Sequence, residues 1–257
     1  MQRPLGGIHQ AATDAEIGAS ARALGPAVRP DGHVGNGSSA HGTAGRSLVA
    51  ILLTLTVVTG LVDAVTYLGL GHVFAANMTG TIVLLGFALG GGGGISIAAS
   101  LVSLAAFLVG AAAGGVLARR LEVDRRRWVA TALLLETIGV CVAAGCAALA
   151  LWNVTIVALL ALAMGVRNAT VRRLAIPDLT TTVLTLTLTG LAAETAGGGG
   201  AGRAPTRRIA SVLAMLIGAL VGALLLGQGL AAPLVLASGL LVLATASFLM
   251  AGRRDER

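Results

Sequence analysis

Six stretches of this chain each run for about twenty residues with hardly a charge among them, the length a helix needs to cross the roughly 30 Å of hydrocarbon in a bilayer. They are Leu48–Leu70, Ser96–Ala118, Trp128–Ala150, Leu151–Val171, Ile209–Gly227 and Leu230–Met250. A soluble fold has no way to hide them. The chain of 257 residues is 56% hydrophobic and 11% charged, whereas a soluble domain carries about a quarter charged residues. The predicted fold class is therefore an all-α integral membrane protein, with the lipid bilayer as its main partner. Aromatic residues make up only 3%, so the apolar mass is Ala, Leu, Val and Gly, small enough for close helix packing in lipid. Residues 1–46 lack any apolar period and are expected to be a disordered cytoplasmic tail. Residues 47–250 form one membrane domain, and 251–257 a short cytoplasmic tail. The first apolar run is too long for a signal-peptide core and is read as a permanent helix.

Two further apolar segments, about 73–89 and 179–193, are shorter and rich in Thr and Gly, and each precedes a glycine run, Gly90–Gly94 and Gly197–Gly200. If both cross, the chain has eight spans in two parallel repeats. If both enter and leave on one face, it has six spans plus two re-entrant segments. The arginines discriminate. Every basic side chain is Arg, with no Lys, and the net charge is +7. In the six-span arrangement Arg46, the five arginines of 119–127, Arg172, Arg173, Arg203, Arg207, Arg208, Arg253 and Arg254 share one side. The bias of Arg toward cytoplasmic loops favours that arrangement, with both termini cytoplasmic. Arginines clustered between apolar runs, without stacking aromatics, fit topology better than nucleic-acid binding.

The chain carries two related stretches. Thr59 to Gly86 reads TGLVDAVTYLGLGHVFAANMTGTIVLLG, and Gly165 to Gly190 reads GVRNATVRRLAIPDLTTTVLTLTLTG. Aligning Gly60 with Gly165 brings Asp63 to Asn168 and Ala64 to Ala169, and sets the Gly69–His72 break against Ile176-Pro177-Asp178. Further on, Gly110-x-x-x-Gly114 matches Gly218-x-x-x-Gly222, and the glycine runs match too. One offset near 105 to 108 accounts for all of these. The expectation is an internal repeat, about 48–150 and 151–250. A unit of three crossings places its second copy upside down, an architecture of transporters whose sites lie at the midplane between broken segments.

TGLVDAVTYLGLGHVFAANMTG with its Gly-rich turn, followed by NATVRRLAIPDLTTT, resembles the YoaK family of bacterial membrane proteins, a domain of unknown function. The resemblance covers about residues 48 to 250. It implies a multi-pass protein of the bacterial inner membrane with no assigned activity. Two departures stand out: Arg167 occupies the place of a Gln, and Leu186 follows Thr185 where the pattern has Gly.

Charged and polar residues inside the runs are the candidate solute- or ion-binding groups. Asp63 lies past the middle of the first run, where a carboxylate is costly and faces a partner, the bundle interior or water. An Asp63–Arg167 ion pair would satisfy both, with Asn168 beside it. Glu136, deep in the third run, is either a second site carboxylate or a helix–helix bonding group. Asn77 fits the start of a half-helix, where it caps free N–H groups or faces an anion. His72 and Thr79 flank it, and His72 is able to titrate near neutral pH. Thr180, Thr181, Thr182, Thr185, Thr187 and Thr189 either line a polar path or bond back to helix carbonyls. Gly110, Gly114, Gly218 and Gly222 are read as helix-packing positions, within the bundle or between copies of a homo-oligomer. Cys141 and Cys146 are read as inert core thiols, Glu194 as a solvated end-group. No nucleophile–base pair, metal-ligand spacing or phosphate loop is visible, so no enzyme activity, metal or cofactor is expected. The leading expectation is a small transporter or channel with a midplane site of Asp63, Asn77, Thr79, Asn168 and Thr182. The rival is a non-transporting membrane scaffold or partner subunit whose polar residues only satisfy buried backbone.

Overall fold

In lipid each backbone N–H and C=O needs a partner within its own segment, which leaves the helix as the local solution for an apolar run. The computed structural model describes residues 38–174, 189, 192 and 203–255, and its regular elements are all helices. They are α1 (Ser38–Gly69), α2 (Met78–Leu89), α3 (Ile97–Arg120), α4 (Arg125–Ala148), α5 (Asn153–Leu174), α6 (Arg203–Leu225, extended by a 3₁₀ turn at Leu226–Gln228) and α7 (Ala231–Asp255). Six of them are long and apolar enough to cross a bilayer; α2 is not. With 12 residues, α2 reaches about 18 Å, well short of a span. The eight-span reading therefore fails at the first short segment. The second, 179–193, with Thr181, Thr182 and Glu194, lies outside the described residues apart from positions 189 and 192, as does the tail over residues 1–37. Helix α1 starts at Ser38, ahead of the Leu48 read from hydropathy, because a helix can run on past the apolar stretch that first marks it.

Contacts fix the helix directions. Ile51 and Leu52 near the start of the apolar part of α1 share one small cavity with Val129 at the start of α4, Leu174 at the end of α5 and Phe248 near the end of α7. Arg125 donates to the Leu174 carbonyl at 3.5 Å and Arg126 to that of Leu249 at 3.2 Å. So α1 and α4 run one way, α5 and α7 the other, and α3 returns to the start of α4 through Leu121–Asp124. The arginines of 119–127, with Arg172 and Arg173, therefore collect at one end of the bundle. At the opposite end the Ser96 amide donates to the Gly71 carbonyl at 3.0 Å. The excursion between α1 and α3 thus leaves and rejoins the bundle at one level.

Two helix crossings hold the bundle, and they match atom for atom. A Cβ on Gly60 of α1 would run into α6 at the Met215 carbonyl, the Ala219 nitrogen (2.6 Å) and the Gly218 carbonyl carbon (2.9 Å). A Cβ on Gly165 of α5 would run into α3 at the Phe107 carbonyl, the Ala111 nitrogen (2.7 Å) and the Gly110 carbonyl carbon (3.1 Å). From the other side, Gly218 lies against the Val57 backbone and Gly222 against Leu61 and Ala64, while Gly110 lies against the Leu162 backbone and Gly114 against Val166 and Ala169. Each of these glycine contacts of α1 with α6 recurs between α5 and α3, 105 positions on for the first helix and 108 positions apart for the second. The four expected packing glycines all sit in these seams, where only a missing side chain lets backbones approach so closely. The order of contacts makes both crossings parallel, so α6 also starts at the arginine-rich end. The centre belongs to α1 and α5, of whose spans 72% and 61% is buried, against 22% for α3 and for α6.

Candidate functional site

At the core the two central helices carry charge. Asp63 stands six residues before the end of α1 at Gly69, about 9 Å inside that end at 1.5 Å per residue. It is buried, and one of its carboxylate oxygens accepts from the Ala75 and Ala76 amides at 3.1 and 3.0 Å. The chain between α1 and α2 has thus folded back beside the helix it just left. Its polar atoms are taken up in turn. The buried Thr81 hydroxyl donates to the Phe74 carbonyl at 2.9 Å and accepts from the Phe74 amide at 3.1 Å, while Ser103 of α3 donates to the same carbonyl at 2.7 Å. Asn77 caps α2, its side-chain oxygen accepting from the Gly80 amide at 3.2 Å. Such satisfaction is the condition for irregular backbone inside a membrane domain.

One turn before Asp63 lies the second cluster. Arg167 of α5 pairs with Glu136 of α4 at 3.0 Å, with side chains 2% and 1% exposed. Its other terminal nitrogen donates to the Leu55 carbonyl at 2.6 Å and to the Thr59 hydroxyl, both on α1. One guanidinium therefore ties α1, α4 and α5 together at the bundle centre. A carboxylate partner is what makes a buried Arg tolerable, since an unpaired charge there would cost several kcal/mol, on the order of 3–5. The cavity at the arginine-rich end has Glu136, Arg167 and Thr170 in its wall and measures about 20 Å³, room for one water-sized guest.

The expected Asp63–Arg167 ion pair is replaced by Glu136–Arg167. Asp63 is bound instead by two backbone N–H groups, with Arg167 within electrostatic reach. Asn168 donates to the Met164 carbonyl of its own helix at 2.9 Å. His72 and Thr79 are exposed, His72 at a φ of 57° with its ring edge-on to Tyr67 at 5.2 Å. The expected five-residue midplane site is therefore not drawn together as a set: Asn77 caps, Thr79 faces outward, and Thr182 with Thr181 lies outside the described residues. Thr59, Thr81 and Ser103, which hold both clusters, were not among the candidates. Cys141 is exposed rather than in the core, and Cys146 half-buried. Among the described residues no three of His, Cys, Asp and Glu converge as a metal cage would require.

Residues 51–247 match a family described as protein of unknown function (DUF1275). The chain is also 34% identical over 160 residues to the UPF0700 transmembrane protein YoaK of Bacillus subtilis (strain 168), covering 59% of this chain and 68% of that protein. No solved structure matches. With six apolar helices of spanning length, this likeness puts the chain among membrane proteins.

Proposed function

The chain belongs to the DUF1275 family of unknown function, and from that premise we propose that it moves a small solute or ion across the bacterial inner membrane. In this reading it is not an enzyme. Two inverted copies of one unit, 48–150 and 151–250, cross the bilayer three times each, and both termini are cytoplasmic. The reading is carried by the irregular backbone of residues 70–77, packed inside the bundle on the carboxylate of Asp63 beside a buried ion pair. Broken segments beside polar groups at this depth are where transporters hold their cargo. Matching crossings of α1 on α6 and α5 on α3 support the duplication, and the collected arginines support the orientation. The two helix pairs would rock about their glycine seams to expose the centre to either side.

A second reading has its own support. Asp63, Thr81, Ser103 and Asn77 all serve the backbone of the break, as a non-transporting scaffold or partner subunit would need. Solvent access separates the two. In a background with Cys141 and Cys146 replaced by Ala, Ala75→Cys and Ala76→Cys are treated with a membrane-impermeant maleimide in intact cells and in inverted vesicles. Transport predicts that these buried positions react, and faster from one side as the pH changes. Uniform protection from both sides favours the scaffold. An epitope after Gly92 is expected outside the cell; a cytoplasmic location sinks the six-span topology.

A further inference from the structure

The Glu136–Arg167 pair is unlike the rest of the buried polar framework, because only one of its two charges is removable. A guanidinium stays protonated under all ordinary conditions, whereas a carboxylate can take up a proton. The permanent charge at the centre of the bundle is therefore positive, and Glu136 is its resident counter-ion. The small cavity lies against this pair, on the side of α1, α4, α5 and α7 nearest the arginine-rich end. That end raises the local concentration of anions, as clusters of like charge do. The exposed wall is wholly apolar, with Leu52, Leu55, Leu133 and Leu174, and Glu136 and Arg167 turn no polar surface into it. A guest must therefore be small and able to shed its water, and it reaches the guanidinium only as the Glu136 carboxyl leaves it.

Building on the transport reading, we infer that Arg167 is a binding group for a small monovalent anion, such as a halide or formate, which replaces Glu136 when that carboxyl is protonated. Anion and proton then bind together: the proton neutralises Glu136, the anion neutralises Arg167, and the centre stays electrically balanced. The Thr59 hydroxyl accepts from Arg167 and donates its own proton to the Leu55 carbonyl at 3.0 Å, so the guest's partner is the guanidinium itself. Among the described residues, the charged groups near Glu136 on its neighbours are Arg167 of α5 and, one turn beyond Thr59, Asp63 of α1, while α7 brings the neutral Thr245, bonded to Thr137 at 3.0 Å. Acid therefore strengthens anion binding, and alkali weakens it.

The test is anion rescue. Purified Glu136→Gln leaves Arg167 buried without a counter-ion, and its melting temperature is followed in chloride, nitrate, formate and the bulky anion gluconate. At a small anion a hundredfold above its dissociation constant the expected rise is about 5 °C or more over gluconate. The wild type shows that rise only at acid pH, so it carries the test should Glu136→Gln not fold. The double variant Glu136→Gln/Arg167→Gln shows no rise. Equal melting in all four anions for Glu136→Gln and for acidified wild type overturns the inference, and so does a rise retained in the double variant. Fluxes of chloride and formate into proteoliposomes then separate the two ideas. Anion rescue without flux of either anion at any pH keeps the site and sinks anion transport. Chloride or formate flux without anion rescue keeps transport and sinks the anion site.

Discussion

The crossing of α1 on α6 and the crossing of α5 on α3 share one backbone frame, yet they carry opposite chemistry. Where α1 has Val62 and Asp63, α5 has Arg167 and Asn168, two residues past Gly60 and Gly165 respectively. In the first half a carboxylate receives the amides of a folded-back chain; in the second a guanidinium reaches across to α1 and α4. The frame is fixed by steric exclusion: any side chain at four glycines would strike backbone. The residues one turn on are free of that constraint and have diverged. Packing sets where functional groups can stand, while the identity of each group is set by whatever polar atoms its own half offers.

The largest effect should come from the charged side of this contrast. Arg167→Gln or Glu136→Gln alone strands a buried charge or acceptor and is expected to cost about 3–5 kcal/mol, whereas the double variant recovers much of that loss. Thermal unfolding in detergent measures it, and a double variant as damaged as the singles would deny the pair its importance. Next comes Asp63→Ala, which leaves two buried N–H groups without an acceptor, a loss of about 2–4 kcal/mol. Asp63→Asn keeps an oxygen there and is expected to cost less than half as much, so equal losses would show that charge rather than hydrogen bonding holds the break. Gly60→Ala and Gly165→Ala probe the shared frame, at about 1–3 kcal/mol each from overpacking. These two losses should agree closely; a wide gap would break the equivalence of the crossings. The smallest is Asn77→Ala, an exposed cap worth about 1 kcal/mol.

The six spans were legible because hydropathy over twenty residues is a one-dimensional signal that lipid enforces directly. Gly110, Gly114, Gly218 and Gly222 were legible as contacts, though not which helix each would meet. The partner of Asp63 was not legible, because the Ala75 and Ala76 amides leave no mark in side-chain chemistry. The partner of Arg167 could have been found. Helices α4 and α5 are joined by a short turn, with Glu136 twelve residues before Ala148 and Arg167 fourteen after Asn153. Antiparallel neighbours place those two at nearly the same depth, a relation the repeat alignment obscured by pointing Arg167 at Asp63. The sequence does not single out Thr81 over Thr79, because nothing in the local pattern says which face of α2 turns inward.

The bond from Ser96 to Gly71 works as a drawstring on the 24 residues of His72–Ile95. Lengthening or shortening the pouch at Gly90–Gly94 slackens only what hangs beyond the knot, and α1 and α3 keep their register. The knot itself tolerates little: Gly71 has a φ of 103° and a Cβ there would meet Ser96 at 3.0 Å. One residue thus lets the exposed turn at Gly90–Gly94 drift in length and composition while Ala75, Ala76 and Thr81 keep their buried places.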